Sequence, residues 1–285
     1  MKLADVLKAA GRSQDQVAAN LAALQSTQPQ LFYTAERNFR DAARRAYVTL
    51  HPPTQAMLST ANMLAARNEP VLINGPTGTG KELVAKIIHA KRAASSMPPV
   101  EMVSINCAGL PEGLFESLVF GHTKGSFTGS IGDTVGLLRS AKGSTAFFDE
   151  VGELPLPQQA KLLRVLATNK VRPVGATEEY DIDCRFVFAT HRDLKGLVRS
   201  GKFREDLYYR ISPAVLVTYS LSDRSMDLIP IAEHILASFG IDRSVAHAAQ
   251  LTPDTYSDGN VRQLYNYLYR RYVLGLDHSE AIVNL

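Results

Sequence analysis

Residues 75–82 read Gly75-Pro76-Thr77-Gly78-Thr79-Gly80-Lys81-Glu82, directly after the apolar stretch Pro70-Val71-Leu72-Ile73-Asn74. A strand that enters a glycine-rich turn, ends in Gly-Lys and opens a helix forms a cradle for phosphate groups. Its backbone N–H groups turn inward, the helix N-terminus adds partial positive charge, and Lys81 reaches the outer phosphates. The competing reading is a turn that is rich in glycine by chance; the strand before it and the helix after it weigh against that. Glu82 stands where such loops usually place a Ser or Thr hydroxyl on magnesium. Either this is not a nucleotide site, or it belongs to a branch that holds the metal in another way.

The rest of the chain supplies the sheet that such a loop needs. Apolar runs at Pro70–Asn74, Met102–Asn106, Thr145–Phe148, Arg185–Thr190 and Ala214–Tyr219 are separated by helical patterns. Continuous apolar runs of this kind suit parallel strands covered on both faces. The expected class is therefore α/β, with a sheet between helices. After Leu221 the strands stop, and 226–240 and 259–274 read as helices of a small all-helical unit. Before His51, residues 2–24 and 33–47 are alanine-rich and amphipathic, a short helical extension. The expected division is thus 1–47, 48–221 and 222–285. The pair of helices about Gly11 has helix-turn-helix spacing but lacks a third packing helix.

Composition excludes several classes. With 285 residues and 45% hydrophobic content there is ample material for a core, and no run approaches membrane-spanning length. The start, MKLADVLKAAG, carries Asp5 and Lys8 where an export signal needs an unbroken apolar core. Cys107 and Cys184 lack metal-like or redox-pair spacing and read as buried thiols in a reducing, cytoplasmic setting. The net charge of +3 lies within residues 1–50, which hold seven Lys/Arg against four Asp/Glu. That excess is too mild to argue for nucleic-acid binding, and a solvated helical face explains it better.

Two further segments carry chemistry. Ser144-Thr145-Ala146-Phe147-Phe148-Asp149-Glu150 is an apolar strand ending in two carboxylates. In a phosphate-loop protein such a strand is expected beside the first one, with Asp149 holding Mg²⁺ and Glu150 polarising the attacking water. Acidic pairs at strand ends are common in turns, so the pair gains its meaning from the loop at 75–82. Between them lies Phe120-Gly121-His122-Thr123-Lys124-Gly125-Ser126-Phe127-Thr128-Gly129-Ser130. An aromatic between glycines suits a moving contact loop.

These motifs together resemble the central AAA+ domain of bacterial enhancer-binding proteins, the activators of sigma-54 RNA polymerase. The family signature GAFTGA is matched by GSFTGS at 125–130, within ESLVFGHTKGSFTGS, which is similar to the family's ESELFGHEKGAFTGA. Lys-Glu after the phosphate loop is normal in that family. The resemblance covers about 48–272 and implies an AAA+ P-loop NTPase fold with a helical lid. It further implies ATP and Mg²⁺ as cofactors, sigma-54 as partner of Gly125, Ser126, Phe127, Thr128, Gly129 and Ser130, and assembly into a ring, expected to be hexameric.

Residue by residue, the resemblance makes Asn106 the restraint on Glu150 until nucleotide and target are in place. It puts Thr190 and His191 near the γ-phosphate, where the family more often has Asn in place of His191. Arg204 and Arg210, in Phe203–Ile211, match the arginine-finger segment that completes a neighbour's site. A guanidinium there neutralises transition-state charge. Six residues apart, the two would not share a helix face. Without the resemblance they would read as surface arginines paired with Glu205 and Asp206. Gly259–Leu264 matches the lid element, with Arg262 over the phosphates.

Departures from the family are Ser126 and Ser130 for the two alanines, Tyr219–Arg224 for PPLRER, Ser257-Asp258 for Trp-Pro, and Leu138-Arg139 for Phe-Glu. The chain ends soon after Arg262, so DNA binding by this chain alone is not expected, nor is a sensory domain before the ATPase. The leading reading is an ATP-hydrolysing activator that remodels the closed promoter complex through the GSFTGS loop. A non-catalytic regulator that binds sigma-54 or joins activator rings without productive turnover stays open, and so does a motor acting on another substrate.

Overall fold

The computed structural model describes residues 47–94, 100–109, 111–127, 130–249, 251–256 and 258–282. The helical patterns expected at 2–24 and 33–46 lie outside them. Two units emerge, His51–Ser220 and a second formed by Leu221 onward together with the segment just before His51.

The first unit is built on five parallel strands, β1 (Val71–Asn74), β2 (Val103–Asn106), β3 (Thr145–Asp149), β4 (Arg185–Thr190) and β5 (Ala214–Val217). All five coincide with the apolar runs, and their order is β2-β3-β4-β1-β5. β3 was expected beside β1, but β4 lies between them, pairing Asn74 with Thr190 on one side and Phe148 with Phe188 on the other. The two most continuous apolar strands with neighbours on both sides, β3 and β4, thereby occupy the centre. β4 is buried at every position.

Helices cover the sheet: α1 (Pro52–Leu64), α2 (Lys81–Ala94), α3 (Glu112–Phe120), α4 (Leu137–Ser140), α5 (Leu156–Thr168), α6 (Leu194–Arg199) and α7 (Glu205–Ile211). On one face Phe148, Phe186 and Phe188 stack, with Phe148 and Phe188 centroids 5.4 Å apart, within a core that includes Leu162, Leu207 and Ile211. Arg185, 1% exposed, donates from Nη2 to Leu64 O (2.7 Å) and from Nη1 to Ala65 O (3.2 Å). A cation there satisfies the carbonyls that the end of α1 leaves open.

The second unit holds α8 (Leu228–Ser238), α9 (Val245–Ala248), α10 (Asn260–Tyr272) and α11 (His278–Ile282). Leu264, Tyr267 and Leu268 recur at helical spacing along α10 and pack on Leu228, Ile231 and Ile235 of α8. Asp227 and Arg224 are both fully buried, 3.5 Å apart, and Asp227 also accepts from Thr49 Oγ1 (2.6 Å) and the Leu50 N–H. These bonds hold residues 49 and 50 in the helical unit, so the α/β unit starts at His51. Both cysteines are free thiols; Cys107 is buried and Cys184 half-buried.

Candidate functional site

The phosphate loop leaves the C-terminal end of β1 and is fixed from both neighbouring strands. The Gly75 N–H donates to Thr190 O at the end of β4 (3.2 Å), and the Thr218 N–H to Asn74 O (2.8 Å). Thr79 Oγ1 donates to Pro76 O (2.8 Å) and lies 2.7 Å from Thr218 Oγ1. A Cβ on Gly75 would meet the Thr218 carbonyl oxygen at 2.4 Å. That oxygen is backbone and cannot move aside, so only glycine fits. Lys81 opens α2, is 7% exposed, and points Nζ back at Gly75 O (2.9 Å) and Pro76 O (3.2 Å). Glu82 follows it on the exposed side of α2 and pairs with Lys86 one turn on. Thr77, Gly78 and Gly80 are half-buried around the lysine.

The acid pair ends β3 at the same sheet edge. Asp149 Oδ1 accepts the Glu150 N–H (3.0 Å). Burial first, then the adjacent Glu150 charge, hold the Asp149 carboxyl above its ordinary range, against the pull of Lys81. Glu150 adopts φ 54° and ψ 47°, a left-handed conformation that strains a residue with a Cβ. Its Oε1 lies 3.7 Å from Lys81 Nζ, and its Oε2 accepts from His191 Nδ1 (2.7 Å) and the His191 N–H (3.2 Å). Glu150 thus bridges the phosphate loop and the end of β4. Thr190, fully buried, accepts the Arg192 N–H at its hydroxyl (3.1 Å).

Asn106 lies next to Asp149 across the β2–β3 register. The expected hold on Glu150 is not made in this conformation. Among the described residues Asn106 Nδ2, its only side-chain donor, makes no bond to Glu150, while its Oδ1 takes the Ala108 N–H (2.9 Å), the local turn that a short amide forms at a strand end. The longer imidazole of His191 has the carboxylate.

The two arginines do different things. Arg204 caps the start of α7, 43% exposed, and forms a fork to Asp206 with Nη2 at 2.7 Å and Nε at 3.0 Å. Its N–H donates to Gln159 Oε1 (2.8 Å), a fully buried amide that also donates to Leu154 O and Lys202 O. Arg210 donates from Nη2 to Leu166 O (2.9 Å), closing the C-terminal turn of α5. The surface-pair alternative therefore describes Arg204 with Asp206, but not Arg210. Arg262 lies exposed in the first turn of α10, in the second unit.

The 125–130 segment is carried on an excursion from the end of α3. Gly121–His122 pairs antiparallel with Thr134–Val135 and closes its stem. A Cβ on Gly136 would meet the Phe120 carbonyl carbon at 2.3 Å, so the two arms of the stem cross as closely as backbones can. A second ribbon, Lys170–Val171 with Tyr180–Asp181, carries a loop whose Val174 accepts the Thr123 N–H (3.0 Å) and donates to Gly121 O (2.9 Å). Phe127 is 46% exposed and stands edge-on to His122, centroids 5.0 Å apart. Ser126 Oγ is buried and finds no partner among the described residues. Ser130 Oγ donates to Phe127 O (2.9 Å), and its N–H also reaches that carbonyl (3.1 Å), while Gly125 N–H donates to Ser130 O (3.1 Å). Thr128 and Gly129 lie outside the described residues.

Thr218 and Gln159 escaped the motif reading. Thr218 was legible only as one more residue of an apolar strand, and Gln159 as a polar residue on a helix; their roles lie in contacts 139 and 45 residues away.

A parallel sheet with this strand order, a phosphate loop after β1 and an acid pair after β3 defines the AAA+ P-loop ATPase class. NtrX from Brucella abortus in complex with ADP has the same fold at a TM-score of 0.72 and 28% identity, over 92% of this chain and 59% of that one. Hsp104 with ATPγS and casein shares the fold alone, at a TM-score of 0.58 and 17% identity, over 92% and 51%. Within that class the sigma-54 interaction domain matches residues 47–217, and the chain belongs to that family. It is 41% identical over 232 residues to the transcriptional regulatory protein GlrR of Escherichia coli K12, covering 79% of this chain and 51% of GlrR. To the response regulator PilR of Pseudomonas aeruginosa it is 43% identical over 230 residues, covering 78% and 51%. The chain thus spans about half the length of these two relatives. Among the described residues no helix is long and apolar enough to cross a membrane.

Proposed function

We propose that this chain is the ATP-hydrolysing unit of a sigma-54 activator. The observation that carries the reading is the convergence of Lys81, Asp149, Glu150 and Thr190 at one sheet edge, in a chain of this family. The residues fit a magnesium nucleotide. Lys81 is a nearly buried cation whose Nζ faces loop carbonyls and Glu150, and Asp149 is a carboxyl held above its ordinary range by burial and by that same neighbour. Lys81 would exchange those carbonyls for phosphate oxygens, and Asp149 would hold Mg²⁺, whose charge screens the phosphates when bound. Glu150 polarises the attacking water once it turns from His191. Arg204, whose exposed guanidinium is forked to Asp206, is the better candidate to complete a neighbouring subunit's site in a ring, hexameric in this proposal. Arg262 would close from the lid, and Phe127 and its neighbours Gly125–Ser130 would grip sigma-54.

The alternative, a non-catalytic regulator, is motivated by the departures in the helical unit, Tyr219–Arg224 and Ser257-Asp258. Steady-state ATP hydrolysis separates the two. The activator reading expects turnover that Lys81→Ala abolishes with nucleotide binding, and that Glu150→Gln abolishes while ATP still binds. Glu150→Gln turning over at the parent rate contradicts the assignment of the acid.

A further inference from the structure

Glu150 accepts two hydrogen bonds from one residue, His191, through its Nδ1 (2.7 Å) and its backbone N–H (3.2 Å). An ionised carboxylate has no proton to give, so Nδ1 carries the hydrogen and donates. The other oxygen of Glu150 leans toward Lys81 Nζ at 3.7 Å. Asn106, meanwhile, accepts the Ala108 N–H at Oδ1, and its Nδ2 gives no hydrogen bond to Glu150 among the described residues. We propose that His191 is the positioning residue that holds Glu150 before hydrolysis in this chain, a task the family resemblance gives to Asn106. The proposal rests on Glu150 being the water-polarising acid.

The chemistry follows from the two donors. A carboxylate whose oxygen accepts two N–H groups has that oxygen's lone pairs occupied and is confined to one rotamer. To polarise water it must leave His191, and turnover scales with the fraction that has left. The strained backbone of Glu150 (φ 54°) favours such a two-position arrangement, since the main chain is already fixed and only the side chain need swing. His191 is suited to letting go. Its side chain is 41% exposed, against 19% for Glu150, so the ring can turn into solvent without opening the core. The hold also joins the end of β4 to the phosphate loop through one carboxylate, so whatever draws Lys81 away loosens Glu150 from the same side.

The test has two arms on the full chain. In the nucleotide-free protein, the ring-nitrogen NMR signals of His191 should report a protonated, hydrogen-bonded Nδ1, which Glu150→Gln shifts and Asn106→Ala leaves in place. In steady-state ATP hydrolysis without sigma-54, His191→Ala should raise kcat about tenfold while KM for ATP moves less than about twofold, as expected from releasing one charge-assisted hydrogen bond. A purely structural role would instead lower kcat and melting temperature together. Identical His191 ring signals in wild type and Glu150→Gln overturn the proposal, as does a kcat in His191→Ala no higher than that of wild type. If wild type hydrolyses no ATP at all, the functional reading fails, and the ring-nitrogen comparison still decides whether His191 holds Glu150.

Discussion

Asp149 is the residue at which stability and function oppose each other. Its carboxyl is raised above the ordinary 3.8 by burial and by Glu150, so the folded, nucleotide-free chain binds that proton more tightly than the unfolded chain does. The stability this provides is complete below the unfolded value and is lost as pH rises through the folded one. Asp149→Asn removes the titration while keeping an oxygen for the Glu150 N–H. The variant should therefore melt higher than wild type at neutral pH, with the difference shrinking as pH falls toward 4, and it should not hydrolyse ATP. Melting temperatures of the pair across that window check the sign; a neutral-pH variant that melts lower contradicts it. Ser126 is a smaller case of the same kind. A buried hydroxyl without a partner costs about 1 kcal/mol or more, so Ser126→Ala, the family's residue, should raise stability by about 1 kcal/mol in denaturant unfolding.

At the scale of elements, the segment from α5 to α7 sorts the two arginines. Gln159 on α5 anchors the Arg204 backbone, while Arg210 ties α7 back to the last turn of α5. Arg204→Ala breaks only an exposed pair, which solvent screens. It should leave the melting temperature nearly unchanged yet lower turnover by about 10³ if the guanidinium serves a neighbour. Arg210→Ala removes a cation from a helix C-terminus and should cost about 0.5–1 kcal/mol of stability. Paired melting and ATPase measurements separate the roles; equal loss of both properties in the two variants contradicts the division. Much of this layer could be read from sequence. All five strands stood out because each is a continuous apolar run between polar breaks, and helices α8 and α10 because Leu228, Ile231 and Ile235 on the one and Leu264, Tyr267 and Leu268 on the other repeat at helical spacing. What escaped was spatial order. An apolar run does not state its neighbours, so the placement of β4 between β1 and β3 was hidden.

Across the whole molecule, the site was legible where a motif is local and illegible where a contact is distant. The phosphate loop and acid pair declare themselves within eight and two residues of sequence. The partner of Glu150 is 41 residues away, and a family pattern pointed to Asn106 instead. The lid departures at 219–224 similarly look severe in sequence, yet Arg224 keeps its buried partner Asp227 and the helical unit retains a full apolar core. The central claim is that hydrolysis at the sheet edge is coupled to sigma-54 through an exposed loop. Phe127 is nearly half exposed, a position from which a large apolar side chain would anchor a partner in this proposal. The direct measurement is capture of purified sigma-54 by the chain trapped with an ATP transition-state analogue, for wild type and Phe127→Ala. The account predicts that wild type captures sigma-54 and that Phe127→Ala does not, while the variant keeps its ATPase rate and melting temperature. Wild-type protein that hydrolyses ATP yet never captures sigma-54 in the trapped state would contradict it.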